Sequence, residues 1–266
     1  MNRTHYTPSR RSYYQSSNIS KTETTHRRFK KRSIILFILF IAGVFAFNSQ
    51  ITHAGDHKSA TPIYSHKQTV CIDPGHGGAD PGASSNDGLI TERDINLTVA
   101  LKLRDILNAQ GYEVFMTRTS NSVSMDNRVR YTYCNDHHAS VMVSVHHNFF
   151  DDDTVDYAMD LFYKPVDKGL ANSIVSATAS KLNITDNGIA QFEDGVLSES
   201  TMPAAVSEGF FITSSDEYSL LTDSTSTRLA DEASGIASGI VTYLNNPAKA
   251  NAAAETNIQT LDRSSD

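Results

Sequence analysis

The chain has 266 residues, 39% hydrophobic and 20% charged, enough for one sizeable domain with a buried core plus appendages. Its formal net charge of -7 conceals a split: residues 1–32 hold nine Lys/Arg and one acid, the remainder fourteen Lys/Arg and twenty-nine acids. A folded part this acidic excludes nucleic acid as the main partner, because phosphate binding needs positive charge on the domain itself.

Residues 1–32, polar and rich in Ser, Thr and Arg, are expected to be disordered. Directly after "RRFKKR" comes an uncharged apolar run, "SIILFILFIAGVFAF" (33–47), the layout of an export signal or signal anchor. The run is shorter than the roughly 20 residues of a comfortable membrane-spanning helix, although the uncharged residues through Ala54 extend it. Residues 33–54 are therefore read as a signal peptide or membrane anchor, with the basic leader kept on the cytoplasmic side and the remainder placed outside. Residues 55–66 read as a linker and 67–246 as the folded domain. Residues 247–266, rich in Ala, Asn, Ser and Thr and without apolar periodicity, read as a disordered tail. There is no internal repeat.

Within the domain, short apolar runs alternate with helical patterns. "TVCID" (69–73) predicts a buried strand, and "TERDINLTVALKLRDILNAQG" (91–111) a helix with Ile95, Val99, Leu103, Ile106 and Leu107 at helical spacing. Strands follow at 112–118, 139–148, 158–164 and 204–211, and helices at 121–136, 168–183 and 226–246. The alternation predicts a single α/β domain with a mostly parallel central sheet and helices on both faces. Cys71 and Cys134 either pair, as an exported chain permits, or pack as two small buried thiols.

The stretch "VCIDPGHGGADPGA" (70–83) ends a strand in a glycine-rich segment around His76. A phosphate loop is excluded, because no Gly-Lys-Ser/Thr follows and the G-x-G-x-x-G register is absent. A plain turn and a metal site remain. His146 closes the third predicted strand and Glu92 opens the first helix, near the loop that carries His76. Two imidazoles and one carboxylate with a position left for water make the ligand set of a catalytic zinc site, although these separations match no short metal motif.

Several runs bear on this together: "DPGHGGADPGA", "LITERDINLTVALKL", "YEVFMTR", "NRVRYTYCN", "SVHHN" and "MPAAVSEGFF". In order and spacing the chain resembles the N-acetylmuramoyl-L-alanine amidases of the zinc-dependent type 3 family, over essentially all of 69–245. The resemblance implies an exported enzyme that cuts the amide between the lactyl group of muramic acid and L-alanine in peptidoglycan. It implies zinc ligands His76 ("GHGG"), Glu92 ("ERDINL") and His146 ("S-x-H-x-N"), with Glu208 of "VSEGFF" as general base. Asp80 and Asn148 fit roles that orient the ligands. His147 points to the opposite strand face, His137 and His138 lie in a polar turn, and neither Glu199 nor Glu217 ends an apolar strand as Glu208 does.

The chain departs from the family pattern "E-x-G-F-x-x-N", with Phe210 at the glycine position and Ser214 at the asparagine position. A bulky Phe210 beside the base is expected to narrow the cleft or shift Glu208. "VLSEST" (196–201) lacks the basic residue often found in that stretch of the family, which weakens contact with anionic stem-peptide groups. Two alternatives follow: a weak or inactive wall-binding or regulatory module, and a zinc hydrolase of another peptidoglycan amide. The expected partners are peptidoglycan and a membrane contacted through the N-terminal apolar segment, and a protein activator is left open.

Overall fold

A computed structural model describes residues 68–255 and 257–259. The basic segment, the signal or anchor segment and the linker read from the sequence lie outside these residues. Among the described residues, no helix is long and apolar enough to cross a membrane.

Among the described residues, seven strands form one sheet: β1 (Thr69–Pro74), β2 (Glu113–Met116), β3 (Val141–Asn148), β4 (Ala158–Phe162), β5 (Asp186–Gln191), β6 (Ala204–Phe211) and β7 (Ile258–Gln259), in the order β2-β1-β3-β6-β4-β5-β7. Every pairing is parallel except β4 with β6, so two parallel blocks meet at one antiparallel seam. The expected α/β layering with a largely parallel sheet is the observed one.

Strand alternation divides the core. Val70 and Ile72 of β1 and Val141, Val143 and Val145 of β3 point to the face covered by α1 (Glu92–Ala109), α3 (Lys168–Leu182) and α6 (Arg228–Asn245). Cys71, Met142 and Val206 point to the other face, which α2 (Asn127–Asp136) and the short α4 (Gly195–Ser198) cover only in part. A cleft opens on this thinly covered face. A further short helix, α5 (Ser215–Thr222), follows β6, and Ser214 caps it by accepting from the Glu217 amide. Ser214 thus has a local capping duty at the family's asparagine position.

Residues 247–254, read as tail, instead form helix α7 (Pro247–Ala254), which buries Ala250 and Ala254. Pro247 sits at the first helical position and Asn246 caps the Lys249 amide at 3.1 Å. Alanine carries high helix propensity without any apolar periodicity, so the pattern that reveals the other helices is missing here. Strand β5 is hidden for a related reason: Asp186-Asn187-Gly188 reads as a turn, and only three of its residues are buried.

Cys71 of β1 and Cys134 of α2 are joined in a disulfide across 63 residues, so of the two readings the pair is the one realised. By loop-closure entropy this link stabilises the fold by about 4 kcal/mol. Replacing both cysteines with alanine is therefore expected to lower the denaturant midpoint measurably. An unchanged midpoint in an oxidised sample would contradict that contribution.

Candidate metal centre

The carboxyl ends of β1 and β3 and the start of α1 converge on one point. His76, Glu92 and His146 offer ligand atoms that all lie within 4.8 Å of one another. Glu92 is central and only 4% exposed. Its Oε1 lies 2.8 Å from His146 Nδ1, and its Oε2 lies 2.9 Å from His76 Nε2 while accepting from the Ala83 amide at 2.9 Å. Glu92 is also the first residue of α1, where the helix dipole favours a carboxylate.

Three observations fit this donor set to a metal ion. His76 Nε2 is buried beside Glu92 yet has no partner in hydrogen-bond geometry. A Cβ on Gly75 would stand 2.2 Å from His146 Nε2, and one on Gly82 would stand 2.5 Å from Glu92 Oε2. Both glycines therefore keep space open around the ligands. Two imidazole nitrogens and a carboxylate oxygen, all within 4.8 Å of one another, are the donor types that zinc takes.

Burial pushes the Glu92 carboxyl up, but the hydrogen bond with His146 and the close approach of the His76 imidazole outweigh it and hold Glu92 well below its ordinary value. Burial likewise disfavours a charged His76, and contacts with Glu92 and Asp80 overcome that and raise its pKa. Metal binding needs the His76 ligand nitrogen unprotonated, so this upward shift makes metal affinity fall as pH falls.

The loop that presents His76 is held by its carbonyls. His76 adopts φ 62°, uncommon for a residue with a Cβ. Arg118, just after β2, donates to Pro74 O at 2.9 Å and Gly75 O at 2.7 Å. Arg130 of α2 donates to Pro74 O at 2.9 Å, His76 O at 2.7 Å and Asp73 Oδ1 at 2.8 Å. Burial raises the Asp73 carboxyl, yet Arg130 together with Thr117 and Ser144 brings it below its usual value. Burial lowers the Arg118 guanidinium to about 10. These residues were visible in the sequence only as the charged members of "MTR" and "NRVR", with nothing to show that they reach across to another strand's loop.

Asp80 Oδ2 lies 2.8 Å from His76 Nδ1, which leaves Nε2 as the nitrogen turned toward Glu92. Asn148 uses its Oδ1 on the neighbouring Phe149 amide at 2.9 Å, and the carboxamide that reaches Glu92 is instead that of Asn96, at 3.5 Å. Glu208 stands in register with His146 on the adjacent strand, about 4.8 Å away by sheet spacing. Val206, two residues earlier, lines the cleft with Ser144 and His146.

Phe210 does not narrow the cleft. His146 pairs with Glu208 but Asn148 pairs with Phe211, so β6 carries an extra residue here. The bulge turns Phe210 to the helix-covered side, where its ring lies 4.3 Å from that of His147 and among Ile95, Leu182 and Ile212. Glu217 is buried against Arg228, away from this cluster, and burial lifts its pKa to about 7 despite that partner.

A largely parallel α/β sheet with two imidazoles and a carboxylate at its strand ends, beside a glutamate on the next strand, defines the class of mononuclear metal-centred hydrolase folds. The sequence profile of the N-acetylmuramoyl-L-alanine amidases matches residues 70–242. The chain belongs to that family. It is 29% identical over 178 residues to the "Probable cell wall amidase LytH" of Staphylococcus epidermidis, covering 66% of this chain and 58% of that protein. Among solved structures, the catalytic domain of the amidase CwlV from Bacillus (Paenibacillus) polymyxa var. colistinus superposes with a TM-score of 0.63 at 30% identity, covering 67% of this chain and 98% of that one. An N-acetylmuramoyl-L-alanine amidase from Clostridium difficile 630 gives 0.63 at 32% identity, with 67% and 97% covered.

Proposed function

We propose that this chain hydrolyses the amide bond between N-acetylmuramic acid and L-alanine in peptidoglycan. The observation that carries this reading is the His76–Glu92–His146 cluster with Glu208 in register beside it, within the matched span. His76, Glu92 and His146 would hold zinc. Held there, zinc would supply Lewis-acid chemistry, polarising the scissile carbonyl and making the attacking water more acidic. Glu208 takes a proton from the attacking water and returns it to the departing alanine nitrogen. The carbon–nitrogen bond breaks, leaving a lactyl carboxylate and a free alanine amine. Asp80 fixes the His76 tautomer, and Arg118 and Arg130 hold the His76 loop in its left-handed turn.

Placement outside the cytoplasm is part of the proposal. The basic leader and apolar run of residues 33–54 supply an export signal or anchor, and the Cys71–Cys134 bond suits an oxidising compartment. The inactive-module alternative was motivated by Phe210 and Ser214; Phe210 packs behind the sheet and away from the cleft, and Ser214 caps α5.

Digestion of purified peptidoglycan with and without a chelator tests the function. Peptide release is expected to stop with chelator and to return with added zinc. Release that is indifferent to chelation would overturn the metal-dependent reading.

A further inference from the structure

Behind the ligands runs a second set of polar side chains that the reaction does not use. His147 follows His146 and so faces the helix-covered side of the sheet. Its Nδ1 lies 2.7 Å from Asn96 Oδ1 and its Nε2 lies 3.0 Å from Glu232 Oε2. The Asn96 amide nitrogen faces two acceptors, Gly75 O at 3.4 Å and Glu92 Oε1 at 3.5 Å. With that nitrogen so placed, the Asn96 oxygen accepts from His147 Nδ1, and the hydrogen-bond direction along the chain is fixed.

Glu232 belongs to α6 and also touches the second site strand. A Cβ on Gly209, the residue after Glu208, would stand 2.2 Å from Glu232 Oε1. One α6 carboxylate thus abuts the residue following His146 on β3 and the residue following Glu208 on β6.

The side chains of His147 and Glu232 are both 0% exposed. Removing such a pair from water is costly, and apolar residues of similar volume often serve stability as well or better. The surroundings here, including Phe210 and Ile95, would accept them. Stability therefore gives no reason to keep the pair, and its link to Glu92 through Asn96 does.

We propose that Glu232, His147 and Asn96 form a positioning relay that fixes the Glu92 carboxylate for metal binding, so that α6 sets the zinc affinity of a centre it does not ligate. The inference rests on the zinc reading above.

The test is the zinc dissociation constant of the full chain, measured by competition with a chromophoric chelator. Glu232→Gln keeps the size of the side chain and removes its charge, and it is expected to weaken zinc binding about 10–100-fold. Asn96→Ala removes the link to Glu92 directly and gives the measurement should Glu232→Gln fail to fold; a weakening in the same range is expected. The double variant is expected to match Asn96→Ala alone, because both changes break one series. Leu170→Ala, a cavity in the same helix layer without ties to the relay, should lower the melting temperature of the metal-free protein and leave zinc binding within about twofold. Wild-type zinc affinity in Glu232→Gln, or in Asn96→Ala where only that variant folds, would overturn the relay alone. Independent, multiplicative losses in the double variant would do the same. A wild-type chain that binds no zinc would overturn the zinc reading and the relay with it.

Discussion

Glu208→Gln lowers the turnover of peptidoglycan cleavage by about 10²–10⁴-fold, the range carried by a positioned general acid–base group, while zinc content stays near that of the wild type. The substitution preserves the shape of a side chain that is 8% exposed in the middle of β6, so the fold should not respond. Glutamine cannot accept the proton of the attacking water or deliver it to the alanine nitrogen. Glu208 is in register with His146 but does not belong to the cluster of His76, Glu92 and His146, which is why metal content and turnover should separate. Kinetics on a soluble muropeptide, paired with metal analysis, read both quantities. A variant with full turnover would show that Glu208 is not the base, and a variant that loses zinc would show that it is a ligand.

Glu92→Gln removes the charge at the centre of the donor set and is expected to release the metal on dialysis. The loss should exceed the roughly 10–100-fold typical of contacts outside the ligand shell. Both imidazoles face this one carboxylate, and the Ala83 and His147 amides also converge on it at 2.9 and 3.3 Å. A neutral amide presents a hydrogen-bond donor where one imidazole nitrogen now meets a carboxylate oxygen. Activity should fall with zinc content and recover only in part at high zinc concentration. Stoichiometric zinc after dialysis would contradict the place of Glu92 in the centre.

The three ligand candidates were legible because each stands at the edge of a regular element: His76 follows a buried strand into glycines, His146 closes an apolar run and Glu92 opens an amphipathic helix. Glu208 was marked by its place as a carboxylate inside an apolar strand. The supporting structure was not legible, because it depends on contacts distant in sequence. Arg118 and Arg130 reach carbonyls 44 and 56 residues away at Pro74. His147 meets Asn96 and Glu232 across 51 and 85 residues.

Phe210 illustrates the limit of reading a strand by its pattern. Strict alternation would put it on the face of Glu208, and the one-residue bulge in β6 puts it on the other. A bulge is a property of pairing between two strands, and neither strand announces it alone. Helix α7 escaped notice for the opposite reason: its alanines encode propensity and no periodicity.

The products of a defined muropeptide report directly which bond is cut. Mass analysis after digestion should find N-acetylmuramic acid with a free lactyl carboxylate and an intact stem peptide beginning with free L-alanine, formed with zinc and absent with chelator. Fragments cut within the stem peptide or its crosslink, with the muramic–alanine amide intact, would contradict the proposed cleavage.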